Sequence, residues 1–387
     1  MTMNALMKAN LPSPDRARGL TLVELMVSLA IFSVLMLGLG TMFSANKRNY
    51  AVQEEFARLQ ENGRFGFSFM AQDMRQAGYS GCNPSVNVLL NSNDPTLYDF
   101  SISVGGYEAA GTGPGTTTDI SALGTAGAWV DSSGAGLPAG LTGNVLAGSD
   151  VLVVKGGTAR DDIVIAGLTP PNAAAIPTIG ATGIPQGTIV MISDCQYADV
   201  FQNAANAAGA TLSRGVGVGG NAPGNVAPGN NPLSQSYDGT AKVIVSSIRA
   251  YYVGFNINGQ PALFRLDYSQ PGAAPQEIAE GVENMQILYG EDMDGDYSPD
   301  RYVTADLVAD PLNIISVQIG LLVRTPQTVP RGLLDNNTYT LLGVPGVNAI
   351  TMDPNNDARF RKIFRSTVYI RNNAVCRERV GQNNCSG

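Results

Sequence analysis

The feature that most constrains this chain is an apolar run close to its N-terminus. From Leu20 to Phe43 there are 24 residues whose only ionisable side chain is Glu24. At about 1.5 Å per residue such a helix measures roughly 36 Å, more than the roughly 30 Å hydrocarbon core of a bilayer. It is long enough to span a membrane with some tilt. Lys8, Arg16 and Arg18 precede it against a single Asp15, so the positive-inside bias keeps residues 1–19 cytoplasmic and exports the rest. A secretory signal peptide fits less well, because its small-residue cleavage site follows the apolar region, whereas Gly19 comes before it.

Glu24 is the anomaly in that run. Insertion scales place a charge at a membrane helix centre at about 2.5–3.5 kcal/mol, and an intramembrane acid calls for a partner. A cut after Gly19 would make Glu24 the fifth residue, near the first helical turn, where the helix dipole and a new α-amino group both favour negative charge. Over Arg16-Ala17-Arg18-Gly19-Leu20-Thr21-Leu22-Val23-Glu24-Leu25 the chain resembles the precursors of type IV pilins and related pseudopilins. The resemblance implies cleavage by prepilin peptidase between Gly19 and Leu20, N-methylation of Leu20, and an assembly role for Glu24. That family usually begins its mature chain with Phe, and Leu20 departs from this. The bland alternative is an ordinary signal anchor with a stray acid.

Charged residues are 14% of the chain, against roughly 25% in ordinary soluble domains, and there are 45 Gly and 22 Pro among 387 residues. This profile suits an exported, loop-rich β protein. The net charge of −8 argues against bulk nucleic-acid binding. His is absent, which removes the usual general base and the commonest transition-metal ligand. With no P-loop, no GxSxG and no HExxH the chain does not read as an enzyme. Cys82, Cys195, Cys376 and Cys385 form an even set in an exported, oxidising context. Of three connectivities the short C-terminal loop favours Cys376 with Cys385, leaving Cys82 with Cys195. A zinc site lacks any CxxC pair.

After Phe43 the helical signal continues. Val52, Phe56 and Leu59, then Phe67, Met70 and Met74, recur at helical spacing, while Asp73 and Arg75 are expected to face elsewhere and Gly78 to stop the helix. Gly38, Gly40, Gly63 and Gly66 read as soft points where it could bend. Asn62-Gly63-Arg64-Phe65, followed by Asp73-Met74-Arg75-Gln76-Ala77-Gly78-Tyr79-Ser80-Gly81-Cys82, resembles the PilW minor pilins. So do Glu283-Asn284-Met285-Gln286-Ile287-Leu288-Tyr289-Gly290, Ile315-Ser316-Val317-Gln318-Ile319-Gly320-Leu321-Leu322-Val323-Arg324, and Phe364-Arg365-Ser366-Thr367-Val368-Tyr369-Ile370-Arg371-Asn372.

Strand-like runs fall at 150–155, 162–166, 188–193, 242–248, 251–257, 262–268, 282–289, 314–323 and 363–371, with an Asn258-Gly259 hairpin signal between two of them. A long helix with one apolar face needs a sheet to cover it. The expected fold class is therefore α+β, pilin-like, with the N-terminal helix packed on a mostly antiparallel sheet. The expected organisation is a leader at 1–19, a transmembrane half-helix at 20–43, an amphipathic half at 44–78, and an extracytoplasmic β-rich domain at 79–387. Gly-rich stretches at about 105–147 and 203–239 lack periodicity and read as loop insertions, solvated filler or a variable contact surface.

Asp292, Asp294, Asp296 and Asp300 sit in an Asp-rich turn that could converge oxygens on calcium, although its Gly and Glu positions do not follow an EF-hand; the other account is a solvated hairpin turn. No other cofactor is expected. The resemblance implies a minor pilin that waits in the inner membrane with its C-terminus periplasmic and then enters a pilus. It also implies partners: prepilin peptidase, other minor and major pilins through the N-terminal helix, the inner-membrane assembly platform, and a large tip adhesin in a priming complex. Whether such a fibre serves motility, adhesion or DNA uptake stays open. The alternatives are a type II secretion pseudopilin and a membrane-anchored periplasmic binding or adhesive module that never enters a fibre.

Overall fold

A computed structural model describes residues 21–82, 86–92, 94–194, 196–218, 223–328, 334–345 and 347–373. The chain divides into two units, Met1–Gln53 and Glu54–Gly387. One helix, α1 (Leu22–Gln76), contributes to both. In the larger unit its buried residues are Leu59, Gly63, Gly66, Met70, Asp73 and Met74, a spacing of mostly three and four that draws a single stripe along the helix.

Two expectations about this stretch are corrected. Gly63 and Gly66 do not interrupt the helix, which runs through them; both lie in close contact with the sheets. A Cβ on Gly63 would overlap the Phe364 ring, and one on Gly66 would lie 3.1 Å from Leu263 Cδ2. Asp73 does not face away either. It is buried and accepts hydrogen bonds from the Arg249 guanidinium and the Tyr251 hydroxyl, with Arg265 a further 3.7 Å ion-pair partner. Its charge is matched from the sheet, so it can share the stripe with methionines. The stop falls where the sequence places it: Gly78 has φ +74° and its N–H donates to Lys155 O at 2.9 Å, a left-handed ending that glycine adopts without a Cβ penalty.

The strands that carry the body are β1 (Val104–Ala109), β2 (Val151–Ala159), β3 (Ile189–Ser193), β4 (Ala198–Gln202), β5 (Lys242–Phe255), β6 (Pro261–Asp267), β7 (Gln276–Glu280), β8 (Val282–Glu291), β9 (Arg301–Val303), β10 (Ile314–Arg324) and β11 (Arg361–Tyr369). The first sheet runs Val86–Val88, β4, β3, β5, β2, β1, Trp129–Val130, with β6 and then β7 added on β5. β5 is its spine: β2 pairs along one side, while β3 and then β6 share the other. The sequence suggests two strands here. They form one because Arg249, at the apparent break, is neutralised by Asp73 and Asp267 and leaves the ladder intact.

The second sheet has the order β9-β8-β10-β11, antiparallel throughout. A smaller one joins Tyr339–Leu342, Ile350–Asp353 and Thr117–Asp119. Parallel pairing is confined to Val86–Val88 with β4 and Ile350–Asp353 with Thr117–Asp119 among the described strands, so the α+β, mostly antiparallel reading holds. Asn258-Gly259 turns β5 into β6, with Gly259 at φ +69°. The strand expected at 162–166 does not form beyond an isolated Ile165–Thr178 bridge.

Leu59, Met70 and Met74 of α1 share a core with Leu263 of the first sheet and Met285, Val317, Ile319, Leu321 and Val323 of the second. Each such side chain contributes about 1.5–3 kcal/mol on burial. The Gly-rich stretches are irregular over most of their length, as expected, but the solvated-filler reading is overturned. Tyr107, Trp129, Leu141 and Val145 are buried in one, and Leu212, Arg214, Leu233 and Tyr237 in the other.

Candidate functional site

In the smaller unit the described residues from 21 to 47 are all exposed. α1 is long and apolar enough to cross a membrane, and none of its apolar window is buried by the chain itself. Leu22, Val34, Leu37 and Phe43 are each about 70% exposed, so this surface must be covered by lipid or by other helices.

Glu24 lies in the first turn of α1. Its backbone N–H donates to Thr21 Oγ1 at 3.3 Å, and Leu25 N–H donates to Thr21 O at 3.1 Å. Thr21 thus caps the helix, with Glu24 three residues on, at the spacing of a capping box of which this is one of the two bonds. Sequence reasoning missed Thr21; the signal was the Thr-x-x-Glu spacing. Within the chain, therefore, Glu24 gains from the helix N-terminus, while Ser28 Oγ returns a bond to the Glu24 carbonyl at 2.7 Å. Gly19 and Leu20 lie outside the described residues.

The acidic turn closes the hairpin between β8 and β9. Oxygens of Asp292, Asp294 and Asp300 all come within 4.8 Å of one another, and Asp296 is not in that group. The carboxylates serve their own turn. Asp292 accepts from Gly295 N–H at 2.7 Å and Tyr297 N–H at 3.1 Å, Asp300 from Met293 N–H at 2.6 Å, and Asp296 from Ser298 N–H at 2.7 Å. These are the side-chain-to-backbone bonds for which Asp is favoured in turns. Cys82 is exposed just after α1; Cys195, Cys376 and Cys385 lie outside the described residues.

A further cluster escaped the sequence reading. Glu283 on β8 accepts from Arg324 Nη1 at 3.0 Å and from Arg361 Nε at 2.7 Å. Arg361 also reaches Asp335 at 3.1 Å and Asp357 at 3.0 Å. All three of Glu283, Arg324 and Arg361 are buried, so this network ties β8, β10 and β11 together. Removing one partner would leave a buried charge uncompensated. Glu283 and Arg324 are themselves among the residues that carry the family likeness.

Two sequence families match the chain. One, described as the prokaryotic N-terminal methylation motif, matches residues 14–40. The other, described as Type IV Pilus-assembly protein W, matches residues 250–372. With these two matches the chain fits a PilW-family prepilin. As such it is a type IV pilus minor pilin, processed at the prepilin motif and anchored in the inner membrane by α1 before assembly. A secretion pseudopilin and a free-standing anchored module are not favoured, and these families indicate a structural pilin rather than an enzyme. No curated protein and no solved structure matches the chain. The PilW match spans the second half of β5 through β11 and contains both the acidic turn and the Glu283 network. The Gly-rich stretches lie outside both matches.

Proposed function

We propose that this subunit is cut between Gly19 and Leu20, methylated on Leu20, and placed in the priming or tip complex of its pilus, where Glu24 pairs with the methylated amine of a neighbouring subunit. The observation that carries this reading is Glu24 itself. It is an acid in the first turn of a helix whose apolar surface is wholly uncovered, a combination that is costly unless a cation from another chain meets it. Membrane insertion alone would be served better by an apolar residue at this position. The partners are then other minor and major pilins, prepilin peptidase, the assembly platform and, at the tip, a large adhesin. Disulfides Cys82–Cys195 and Cys376–Cys385 belong to the same reading of an exported body.

Mass spectrometry of the N-terminus, in sheared filaments against membranes, tests processing and position together. The expected mature chain begins with methylated Leu20, enriched in filaments and present at a few copies per fibre. Glu24→Ala should remove the protein from filaments while leaving it in membranes. Leaving a buried amine unpaired costs about 3–5 kcal/mol, roughly a hundredfold or more in incorporation. A mature protein that still bears Met1 to Gly19, or unchanged incorporation of E24A, would refute the proposal.

A further inference from the structure

The two sheets meet at Gly148-Ser149-Asp150, where the chain enters β2. Gly148 O accepts from Asn284 Nδ2 at 2.6 Å and Gln286 Nε2 at 2.8 Å. Ser149 Oγ accepts from Met285 N–H at 3.1 Å, and Ser149 O from the Trp129 indole at 2.8 Å. Asp150 N–H donates to Met285 O at 2.9 Å. The Asp150 carboxylate then holds both sheets at once, Oδ1 accepting from Ala109 N–H on β1 at 3.0 Å and Oδ2 from Ile287 N–H on β8 at 2.9 Å. Strand β8 is thus stitched to the first sheet largely through one aspartate and its two neighbours.

Beside it is a second acid. Glu108 of β1 is buried, and its Oε1 accepts from Thr112 Oγ1 at 3.0 Å. Its Oε2 is buried without a donor, and the Glu108 and Asp150 carboxyl groups are close enough to interact. Two carboxyl groups in contact form a bond only if one carries a proton. The bonding pattern says which one does. Both oxygens of Asp150 are occupied by amide donors, which favour its anion, so the proton belongs on Glu108 Oε2.

We propose that Glu108 and Asp150 share one proton at neutral pH and form a pH-sensitive latch between the two sheets, which loosens when that proton is lost. The groups facing the pair do not relieve it. Asp306 adds a further negative charge, and the hydroxyl of Tyr289, on β8, donates instead to Gly105 O at 3.0 Å. Burial, and then the Asp150 charge, push the Glu108 carboxyl well up; burial also raises Asp150, against the pull of its two amides. Both folded values lie above those of unfolded carboxyls, roughly 4. The folded state therefore holds protons that the unfolded chain releases, and the stability this gives is complete at acid pH and lost as pH rises through the folded values. Lys155, buried on β2, is pushed down by burial to about 7 and titrates with the opposite sign, so the latch is read from a difference between variants.

The test uses the full-length protein in detergent. Glu108→Gln keeps an acceptor for Thr112 and a permanent donor for Asp150. The melting temperatures of wild type and E108Q should agree near pH 5 and separate by several degrees by pH 9, with E108Q the more stable. A separation that does not change between pH 5 and pH 9 would overturn the latch. Infrared spectroscopy of the wild type decides the matter if E108Q fails to fold. A protonated carboxyl band persisting at pH 8 is expected, and its absence rejects the proposal.

Discussion

The sheet of β8 to β11 and the Gly-rich stretches at 105–147 and 203–239 both bury side chains completely, yet hold them by different means. In the sheet, Val317, Ile319, Leu321 and Val323 of β10 alternate inward against α1, all fully buried. In the second Gly-rich stretch the buried centre is Arg214, with no exposed surface. Its guanidinium donates to Ala173 O at 2.7 Å, Pro171 O at 2.7 Å and Asn231 O at 2.8 Å. Around it Tyr237 Oη donates to Asp199 at 2.6 Å and Asn203 Nδ2 to Ala205 O at 3.0 Å. The first stretch follows the same plan with Asp131, which accepts from Thr96 Oγ1, Ser133 N–H and Ala135 N–H. One region is organised by apolar area, which is non-directional. The other is organised by a few polar anchors that collect the free carbonyls and amides of irregular backbone.

The largest expected effect comes from attacking the apolar region. Leu321→Ala removes a fully buried side chain between α1 and both sheets and should cost about 2–5 kcal/mol, seen as a lowered melting temperature for the whole body. Arg214→Leu attacks the other region. It leaves the part-buried carbonyls of Pro171, Ala173 and Asn231 without their donor, each worth up to about 1–3 kcal/mol if no water replaces it, but the loss should be local. Limited proteolysis should open sites between 171 and 231 while the body melts close to its wild-type temperature. If R214L instead unfolds the body as cooperatively as L321A does, the two regions form one folding unit and the contrast fails.

The same contrast explains what the sequence makes legible. Runs of Val, Ile and Leu mark β2, β3, β5, β8, β10 and β11 closely, because a strand buried on both faces, as β3, β8 and most of β2 and β10 are, reads as a near-continuous apolar segment. The membrane run and Glu24 are equally plain, since hydropathy and one misplaced charge need no partner to be noticed. Arg214, Asp131, Glu283 and Asp150 left no such trace. Between them they act on residues from 2 to 137 positions away, and an isolated polar side chain in a sequence does not say whether water or backbone will receive it. Asp73 was misread for this reason: its helical position sits on the inner stripe, and only Arg249 and Tyr251, far along the chain, make that position tolerable.

Gly63 offers the finest probe, because there a glycine in the legible part of the chain was itself misread. Replacing it by Ala should help α1 by about 1 kcal/mol, since glycine is the weaker helix former. The new Cβ, however, would overlap one edge of the Phe364 ring, and overpacking costs typically about 1–3 kcal/mol. The ring is only partly buried and can shift, although Lys362 stacks on its face at 5.5 Å, so the net cost should be small, about 1 kcal/mol. Phe364→Leu in the same chain should recover it. A double-mutant cycle separates the two accounts: strong coupling between Gly63 and Phe364 means the glycine is there for close approach. If Gly63→Ala proves stabilising with no coupling to Phe364, the glycine is a plain helix weakness, and the soft-point reading would be the better description of α1.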